Sequence, residues 1–321
     1  MKHNMNIDVS IVIICMNKPE NLRVCLGSIK NYTSVSYEVF VVAYLFSEDK
    51  LNAIRQEFPW VHFIESNEIR GFSENNNLAL RMAKGKYCFI LNDDTELRMP
   101  AIDKMVETFK KLPKNAAIVS PKLVRADGSV QCCGRPEYNW KTFLTNRSGK
   151  KSPFVDKEGV FKSYNVIGAA FLIKTEIFKS IGWFDENYFF TPEDIAVSTK
   201  LNKMGYECWV NSDAEIIHYE GMSGKSLSLI KTATAPAGRR GLIMFYSDNN
   251  ILIWFLLNAS KLFEDIICFL LDTIIVKFGK PSEWIKIRRI ARRNLIRIAF
   301  SRKMPKDIFI HFYKLIKHQC I

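Results

Sequence analysis

Apolar residues fall in two patterns along this chain: short unbroken runs, and stripes recurring every three to four positions. Val9-Ser-Ile-Val-Ile-Ile-Cys15 is β-branched and almost continuously apolar, which predicts a central parallel strand covered on both faces. Met16-Asn17-Lys18 follows as a polar loop, and Pro19 suits the first turn of a helix that carries Leu22, Cys25, Leu26 and Ile29 inward. Residues 37–42 read as a second strand, 48–58 as a second helix and 61–64 as a short third strand. Residues 67–77 read as a polar loop running into a helix over 78–83, and 87–91 as a fourth buried strand. This alternation predicts an α/β fold with a parallel, doubly wound sheet. In such sheets ligands sit just beyond the carboxyl ends of the strands, where this chain places Asn92-Asp93-Asp94-Thr95. Two adjacent carboxylates there suit a divalent cation with oxygen ligands. They equally suit a solvated turn that caps the next helix.

The last third of the chain changes pattern. Residues 251–257 and 266–271 are strongly apolar, yet Asn258, Lys261, Glu264 and Asp265 separate them, and neither run reaches the length of a bilayer span. Trp284, Ile287, Ala291, Leu295 and Ile298 then recur at helical spacing beside a stripe of Lys286, Arg289, Arg293 and Arg297. A cationic amphipathic helix of this kind suits an anionic membrane surface. It also suits a helical appendage with a solvated basic face.

Composition sharpens this division. The 321 residues, 48% hydrophobic, are enough for one large domain or two. The net charge of +13 is a local feature: from Lys277 onward there are 13 Lys/Arg against 2 acids, while upstream 33 bases face 31 acids. The concentration favours an anionic surface as partner of the tail, and no nucleic-acid-reading motif accompanies it. The 8 cysteines are scattered, and the adjacent pair Cys132-Cys133 has no second pair at zinc-binding spacing. Reduced, mainly buried thiols in a cytosolic compartment are expected. Met1 to Asp8 lacks the basic, apolar, small-residue order of a secretory signal.

Several motifs stand in a telling order. Asn17 follows the first strand, Arg70-Gly71-Phe72 precedes Asn76-Asn77, and Leu91-Asn-Asp-Asp-Thr95 ends the fourth strand. Downstream come Ile118-Val-Ser-Pro-Lys-Leu123, Asp127-Gly-Ser-Val130, Val166-Ile-Gly-Ala-Ala-Phe-Leu-Ile173, Ile181-Gly-Trp-Phe-Asp-Glu186, Pro192-Glu-Asp194 and His218-Tyr-Glu-Gly-Met-Ser223. Together they resemble inverting family 2 glycosyltransferases, most closely the bacterial rhamnosyltransferase-like branch, over roughly residues 8 to 225. An ordered conjunction of this kind is far more specific than any single motif. The resemblance implies a GT-A (nucleotide-diphospho-sugar transferase) fold with a mostly parallel central sheet over residues 1–230. Its donor-binding half would cover about 1–100 and its acceptor-side half about 101–230. A basic amphipathic helical region, membrane-associated, would occupy 231–321.

The resemblance also implies roles. Asp94 and His218 would hold a divalent cation, Mn²⁺ or Mg²⁺, with Asp93 and Asn92 nearer the donor. Asn17, Arg70, Gly71, Asn76 and Asn77 would line the nucleotide pocket. Asp194 would act as general base, with Glu193 beside it, and Trp183 and Tyr188 would stack against the acceptor. Each residue has a plainer reading: His218 as a structural imidazole in an apolar strand, Pro192-Glu193-Asp194 as a helix start, Asn76 and Asn77 as helix caps, and the aromatics as core. The implied donor is a UDP or dTDP sugar, and the acceptor is a glycan or lipid-linked saccharide. The setting is bacterial surface polysaccharide (O-antigen or capsule) biosynthesis at the cytoplasmic, inner face of the cell membrane.

The chain departs from the family where Ala43 stands at the end of the second strand, where Asn92 replaces the first acid of an acid-x-acid motif, and at Ala196 and Lys200. These changes are compatible with altered specificity or with a catalytically weakened sugar-binding or scaffold relative. A sugar-nucleotide nucleotidyltransferase is a further alternative. It would require a glycine-rich basic loop after the first strand, which Cys15-Met-Asn-Lys18 does not supply.

Overall fold

The computed structural model describes residues 7–145, 154–219 and 229–319. They group into two compact units: residues 7–137, 154–185 and 193–219 in the first, and 138–145, 186–192 and 229–319 in the second. Two segments that the sequence reading places in the first part, around residues 140 and 189, therefore belong with the C-terminal helices.

In chain order the first unit contains β1 (Val9–Met16), α1 (Pro19–Tyr32), β2 (Tyr37–Tyr44), α2 (Glu48–Glu57), β3 (His62–Ser66), α3 (Phe72–Leu80), β4 (Tyr87–Asn92), β5 (Thr95–Glu96), α4 (Ala101–Lys111), β6 (Ala116–Val124) and β7 (Val130–Cys132). After α5 (Trp140–Thr145), which belongs to the second unit, it resumes with β8 (Val160–Ser163), β9 (Ala170–Lys174), α6 (Thr175–Ser180), α7 (Glu193–Lys203) and β10 (Glu207–His218). The sheet runs β3-β2-β1-β4-β9-β6-β10-β5, with β7 on β6 and β8 on β10. Along that path β9 and β5 alone oppose the other strands, which gives the mixed, mostly parallel α/β sheet expected.

The core follows from strand alternation. On β1, Val9, Ile11 and Ile13 face one layer with Leu22, Cys25, Leu26 and Ile29 of α1. Val12 faces the other, with Leu80, Phe171 and Phe178. Both sheet faces are covered, which is why these strands read as continuous apolar runs. The Asp127-Gly128-Ser129 turn joins β6 to β7, with Gly128 at φ 80° and the Asp127 carboxylate accepting from the Ser129 N–H at 2.9 Å.

One element differs from the sequence reading. The polar stretch 67–77 is not a loop throughout, because α3 begins at Phe72 and takes Asn75, Asn76 and Asn77 into a buried helix. Asparagine is a mediocre helix former because its side chain competes for backbone partners. Here those partners are found without breaking the helix. Asn75 Oδ1 accepts from Ser66 Oγ at 2.6 Å, Asn76 Nδ2 donates to Phe72 O at 3.0 Å, and Asn77 pairs both ways with the Phe184 backbone at 2.9 and 3.2 Å.

The second unit adds α8 (Lys231–Ser247), α9 (Ile251–Phe278), α10 (Glu283–Arg297) and α11 (Pro305–Gln319) to α5. The two apolar runs at 251–257 and 266–271 lie in the single helix α9, capped by Asn250 Oδ1, which accepts from Leu252 and Ile253 N–H at 3.0 and 3.1 Å. Among the described residues no helix is long and apolar enough to cross a membrane. The amphipathic helix expected around residues 284–298 is α10, capped by Ser282.

Two consequences can be measured. A Cβ on Gly85 would lie 2.5 Å from Ser10 N and 2.8 Å from Val9 C, both backbone atoms of the central strand. Gly85→Ala is therefore expected to destabilise the protein by about 1–3 kcal/mol in urea unfolding. Burial also pushes the Cys25, Cys88 and Cys208 thiols up to about 12, whereas the unfolded chain ionises them near 9. Above pH 9 the unfolded state releases these protons and the folded state does not. Stability is thus full below pH 9 and falls as pH rises toward 12, by up to roughly 1.4 kcal/mol per pH unit per thiol. Melting temperatures measured between pH 8 and 11 should show the decline, and replacing the thiols with alanine should flatten it.

Candidate active site

The site is assembled by strand register at the carboxyl edge of the sheet. After β4 the chain turns through Asp93-Asp94 into β5, which pairs antiparallel with the end of β10 so that His218 lies opposite Thr95. The Tyr219 N–H donates to Asp94 O at 2.9 Å. This pairing places His218 Nε2 3.2 Å from Asp94 Oδ1, with side-chain exposures of only 10% and 4%. Asn92 Nδ2 is 3.5 Å from the same nitrogen. The other ring nitrogen, Nδ1, is 2.9 Å from Gln131 Oε1 on β7. An amide oxygen only accepts, so Nδ1 carries a hydrogen, and Nε2 faces the Asp94 carboxylate. A carboxylate and a ring nitrogen at this distance are favourable only with a proton or a metal cation between them, and an N/O donor pair fits a divalent ion. Among the described residues there is no cluster of three or more His, Cys, Asp or Glu side chains suited to a metal; Asp94 and His218 form a two-donor set.

Asp93 turns the other way. Its Oδ2 accepts from Asn21 Nδ2 of α1 at 3.4 Å, and the residue is buried. The Cys15 thiol nearby is pushed far up, first by burial and then by the Asp93 charge, so it stays protonated.

A second register brings Asp194 to the same edge. β4 pairs antiparallel with β9, Leu91 opposite Ala170, and one step further Asn92 N–H donates to Ala169 O at 2.9 Å. The adjacent Gly168 N–H donates to Asp194 Oδ2 at 3.0 Å. A Cβ on Gly168 would touch the Asp194 side chain at 3.4 Å, so glycine leaves the carboxylate room to dock on the backbone. Arg135 Nη1 meets the same oxygen at 3.2 Å, and Ile195 N–H donates to Oδ1 at 2.8 Å. Glu193 and Asp194 form the first turn of α7, both half-buried. Arg135 is itself held by Ser163 Oγ, which accepts from its N–H at 2.8 Å, and by a bridge to Asn165.

The remaining candidates separate into two groups. Asn17 follows β1 in a left-handed conformation (φ 53°), its Oδ1 accepting from Ser47 N–H at 3.3 Å. Arg70 and Gly71 follow β3; the Arg70 guanidinium reaches Ser66 Oγ at 3.2 Å and Glu68 at 2.8 Å, and Gly71 N–H donates to Glu74 at 2.9 Å. These three and Asn92 to Asp94 lie beyond the carboxyl ends of parallel strands, where α/β sheets bind ligands. Asn76 and Asn77 instead point into helix and core contacts. Trp183 (φ 66°) packs edge-on against Phe178 at 5.4 Å. Tyr188 lies in the second unit, edge-on to Phe245 at 6.3 Å. Ala43 is buried in β2, between Cys15 and Glu65 in register. The segment 220–223 of the closing His motif lies outside the described residues.

Sequence reasoning missed Gln131, Arg135 and Asn21. Gln131 carries a weak signal, since it directly follows the Asp-Gly-Ser-Val turn; the other two carry none.

Comparison with known proteins agrees with this architecture. A family model described as "Glycosyl transferase family 2" matches residues 10–182. The O-antigen biosynthesis protein RfbC of Myxococcus xanthus is 25% identical over 227 residues, covering 68% of this chain and 18% of that protein. The poly-beta-1,6-N-acetyl-D-glucosamine synthase of Staphylococcus epidermidis is 26% identical over 224 residues, covering 65% of this chain and 51% of that protein. The chain thus spans less than a fifth of the first relative's length and about half of the second's. Among solved structures, GalNAc-T7 with UDP, GalNAc and Mn²⁺ superposes with a TM-score of 0.60 at 15% identity, covering 96% of this chain and 58% of that one. The mannosyltransferase PcManGT from Pyrobaculum calidifontis, in complex with GDP-Man and Mn²⁺, gives 0.50 at 15% identity, covering 98% and 81%. Both are GT-A glycosyltransferases, and the fold is GT-A as expected.

The Gln131 contact predicts a spectroscopic signature. In metal-free protein, ¹⁵N NMR of labelled histidine should show His218 protonated at Nδ1, and Gln131→Met should shift the ring toward the Nε2–H tautomer. An unchanged tautomer in Gln131→Met would show that this hydrogen bond does not orient the ring.

Proposed function

This chain belongs to glycosyl transferase family 2, and from that premise we propose that it transfers a sugar, with inversion, from a nucleotide-diphosphate donor to a hydroxyl of a glycan or lipid-linked saccharide. The setting we propose is bacterial surface polysaccharide biosynthesis, supported by the O-antigen and poly-N-acetylglucosamine relatives. The observation that carries the reading is the convergence of two registers at one sheet edge. β5 on β10 brings His218 to Asp94, and β4 on β9 brings Asp194, through Gly168 and Ala169, to Asn92.

In this reading the Asp194 carboxylate accepts the proton of the acceptor hydroxyl as that oxygen attacks the anomeric carbon. Arg135 and the Gly168 N–H fix the carboxylate's direction through Oδ2, and Oδ1, which accepts from the Ile195 N–H, keeps a further lone pair for the incoming proton. Glu193 bonds sugar hydroxyls beside it. Asn17, Arg70, Gly71, Asn92 and Asp93 bind the nucleotide portion, with the Arg70 guanidinium suited to a phosphate or the base. Trp183 offers a stacking face to the acceptor. Asp94 Oδ1 and His218 Nε2 would hold the divalent cation, Mn²⁺ being favoured over Mg²⁺ by the imidazole. When bound, it supplies neutralisation of the charge that develops on the diphosphate leaving group. The donor is of UDP or dTDP type. The basic tail places the protein peripherally on the anionic cytoplasmic face of the membrane, where a lipid-linked acceptor would be met.

Transfer and donor-hydrolysis assays over a panel of nucleotide sugars test this. Asp194→Asn is expected to lower kcat by about 10³-fold with little change in donor KM. Asp94→Asn and His218→Ala should remove the stimulation by Mn²⁺. A wild-type protein with no metal-stimulated turnover on any donor, together with sugar binding unaffected by Asp194→Asn, would instead support a non-catalytic sugar-binding relative.

A further inference from the structure

A surface helix ordinarily turns its apolar stripe inward and its charges outward. Helix α9 does the opposite. Its buried residues are Leu257, Asn258, Lys261, Asp265 and Asp272, of which only Leu257 is apolar. Its exposed residues include Leu252 at 78%, Phe255 at 59%, Phe263 at 68%, Leu270 at 54%, Ile274 at 55% and Phe278 at 77%. Their spacing puts them on one stripe, about 39 Å long at 1.5 Å per residue. Scattered exposed apolar residues need no explanation, but a continuous stripe of this length marks an interaction surface.

The inversion is enforced from within the second unit. Asp265 is held between Arg239 of α8 at 3.0 Å and Arg292 of α10 at 2.6 Å. Asp272 accepts from Arg288 Nε at 2.9 Å. Asn258 Oδ1 accepts from Phe300 N–H at 3.2 Å, and Lys261 pairs with Glu264 at 3.0 Å while lying 5.2 Å from the centre of the Phe143 ring. Turning the helix to hide its leucines would strand these buried charges, which is strongly unfavourable. The same contacts tie α9 lengthwise to α8 and α10, so it cannot leave the unit to stand across a bilayer.

The occupant is indicated by charge. Among the exposed positions of α9 the only charged residue is Lys277, and beyond it Lys280, Lys286, Arg293 and Arg297 are exposed against one exposed acid of that stretch, Glu283, which pairs with Lys286 at 2.6 Å; Trp284 is half-exposed beneath Arg288 at 4.0 Å. A second copy would set two basic surfaces against each other, whereas an anionic bilayer complements both the apolar stripe and its basic flank. We propose that α9 lies in the plane of an anionic bilayer with its apolar stripe sunk into the headgroup–acyl boundary, while the basic residues of α10 engage lipid phosphates. The inference rests on the membrane-surface reading above but assigns insertion to α9, rather than to the amphipathic α10 that the sequence singles out.

Flotation of the purified full chain with vesicles tests it, using phosphatidylcholine alone and a 3:1 mixture with phosphatidylglycerol, at low salt and at high salt. Wild type is expected to float with the anionic vesicles and to retain a bound fraction at high salt. Leu270→Glu/Ile274→Glu, at exposed positions and with an unchanged thermal melt, should lower partitioning at least tenfold at either salt concentration. Lys286→Glu/Arg293→Glu should abolish the preference for anionic lipid while leaving residual binding. If salt removes all binding and Leu270→Glu/Ile274→Glu binds like wild type, insertion through α9 is overturned and the surface reading survives. If wild type ignores both vesicle types, both fall. If Leu270→Glu/Ile274→Glu converts a dimer into a monomer in sedimentation and leaves vesicle binding intact, the stripe is a self-interface and the inference is overturned.

Discussion

A two-residue strand pair, Thr95–Glu96 against Ile217–His218, sets the geometry on which the rest of the site depends. Its hydrogen bonds hold a carboxylate and an imidazole 3.2 Å apart in a nearly water-free place. Gln131 occupies the far ring nitrogen, and the near one and the carboxylate sit together favourably with a proton or a cation between them. In a low-dielectric setting such an arrangement is preorganised: the polar groups are aligned before any ligand arrives, and no reorganisation is needed when charge develops. The nearly invariant direction of β-strand side chains makes this possible, since a slip of one residue in either strand would turn His218 to the opposite face.

Asp194 is organised on a different principle. It lies at the start of α7, where backbone N–H groups and the helix dipole favour an anion, and its direction is set by Gly168 and Arg135 from two other segments. The role of Gly168 is spatial: a side chain there would occupy the carboxylate's place. Asp94 and Asp194 are thus carboxylates in different settings, one facing an imidazole and one held by a guanidinium and a backbone amide. That asymmetry suits a division of labour between leaving-group charge and acceptor proton. The exchange of an acid for Asn92 fits the same picture, because its amide donates toward His218 rather than adding negative charge to the Asp94 side.

The helical unit applies the opposite packing rule. The core of the first unit is apolar with polar groups at the sheet edge. Along α9, paired charges are buried and apolar side chains face outward. Both arrangements pair their buried charges. The first unit covers its apolar surface from within, whereas the α9 stripe is exposed.

Much of this was set by sequence alone. Strands β1, β2 and β4 and helix α1 follow from local periodicity, which depends on neighbours only a few residues away, whereas the Asp127-Gly128-Ser129 turn was marked through resemblance to a family. The ordered motifs, through resemblance to a family, led to the expectation that Asp94, His218 and Asp194 share a site. Tertiary structure alone decided the rest. The helical state of Asn75–Asn77 depends on Ser66, Phe72 and Phe184, and the orientation of His218 depends on Gln131, 87 residues away. Arg135 reaches Asp194 across 59 residues, with no periodic signal to announce it. The direction of α9 was equally hidden. A stripe of leucines opposite a stripe of charges has the same hydropathy period whichever side faces in, and only Arg239, Arg288 and Arg292, brought by other helices, decide that the charges are inside.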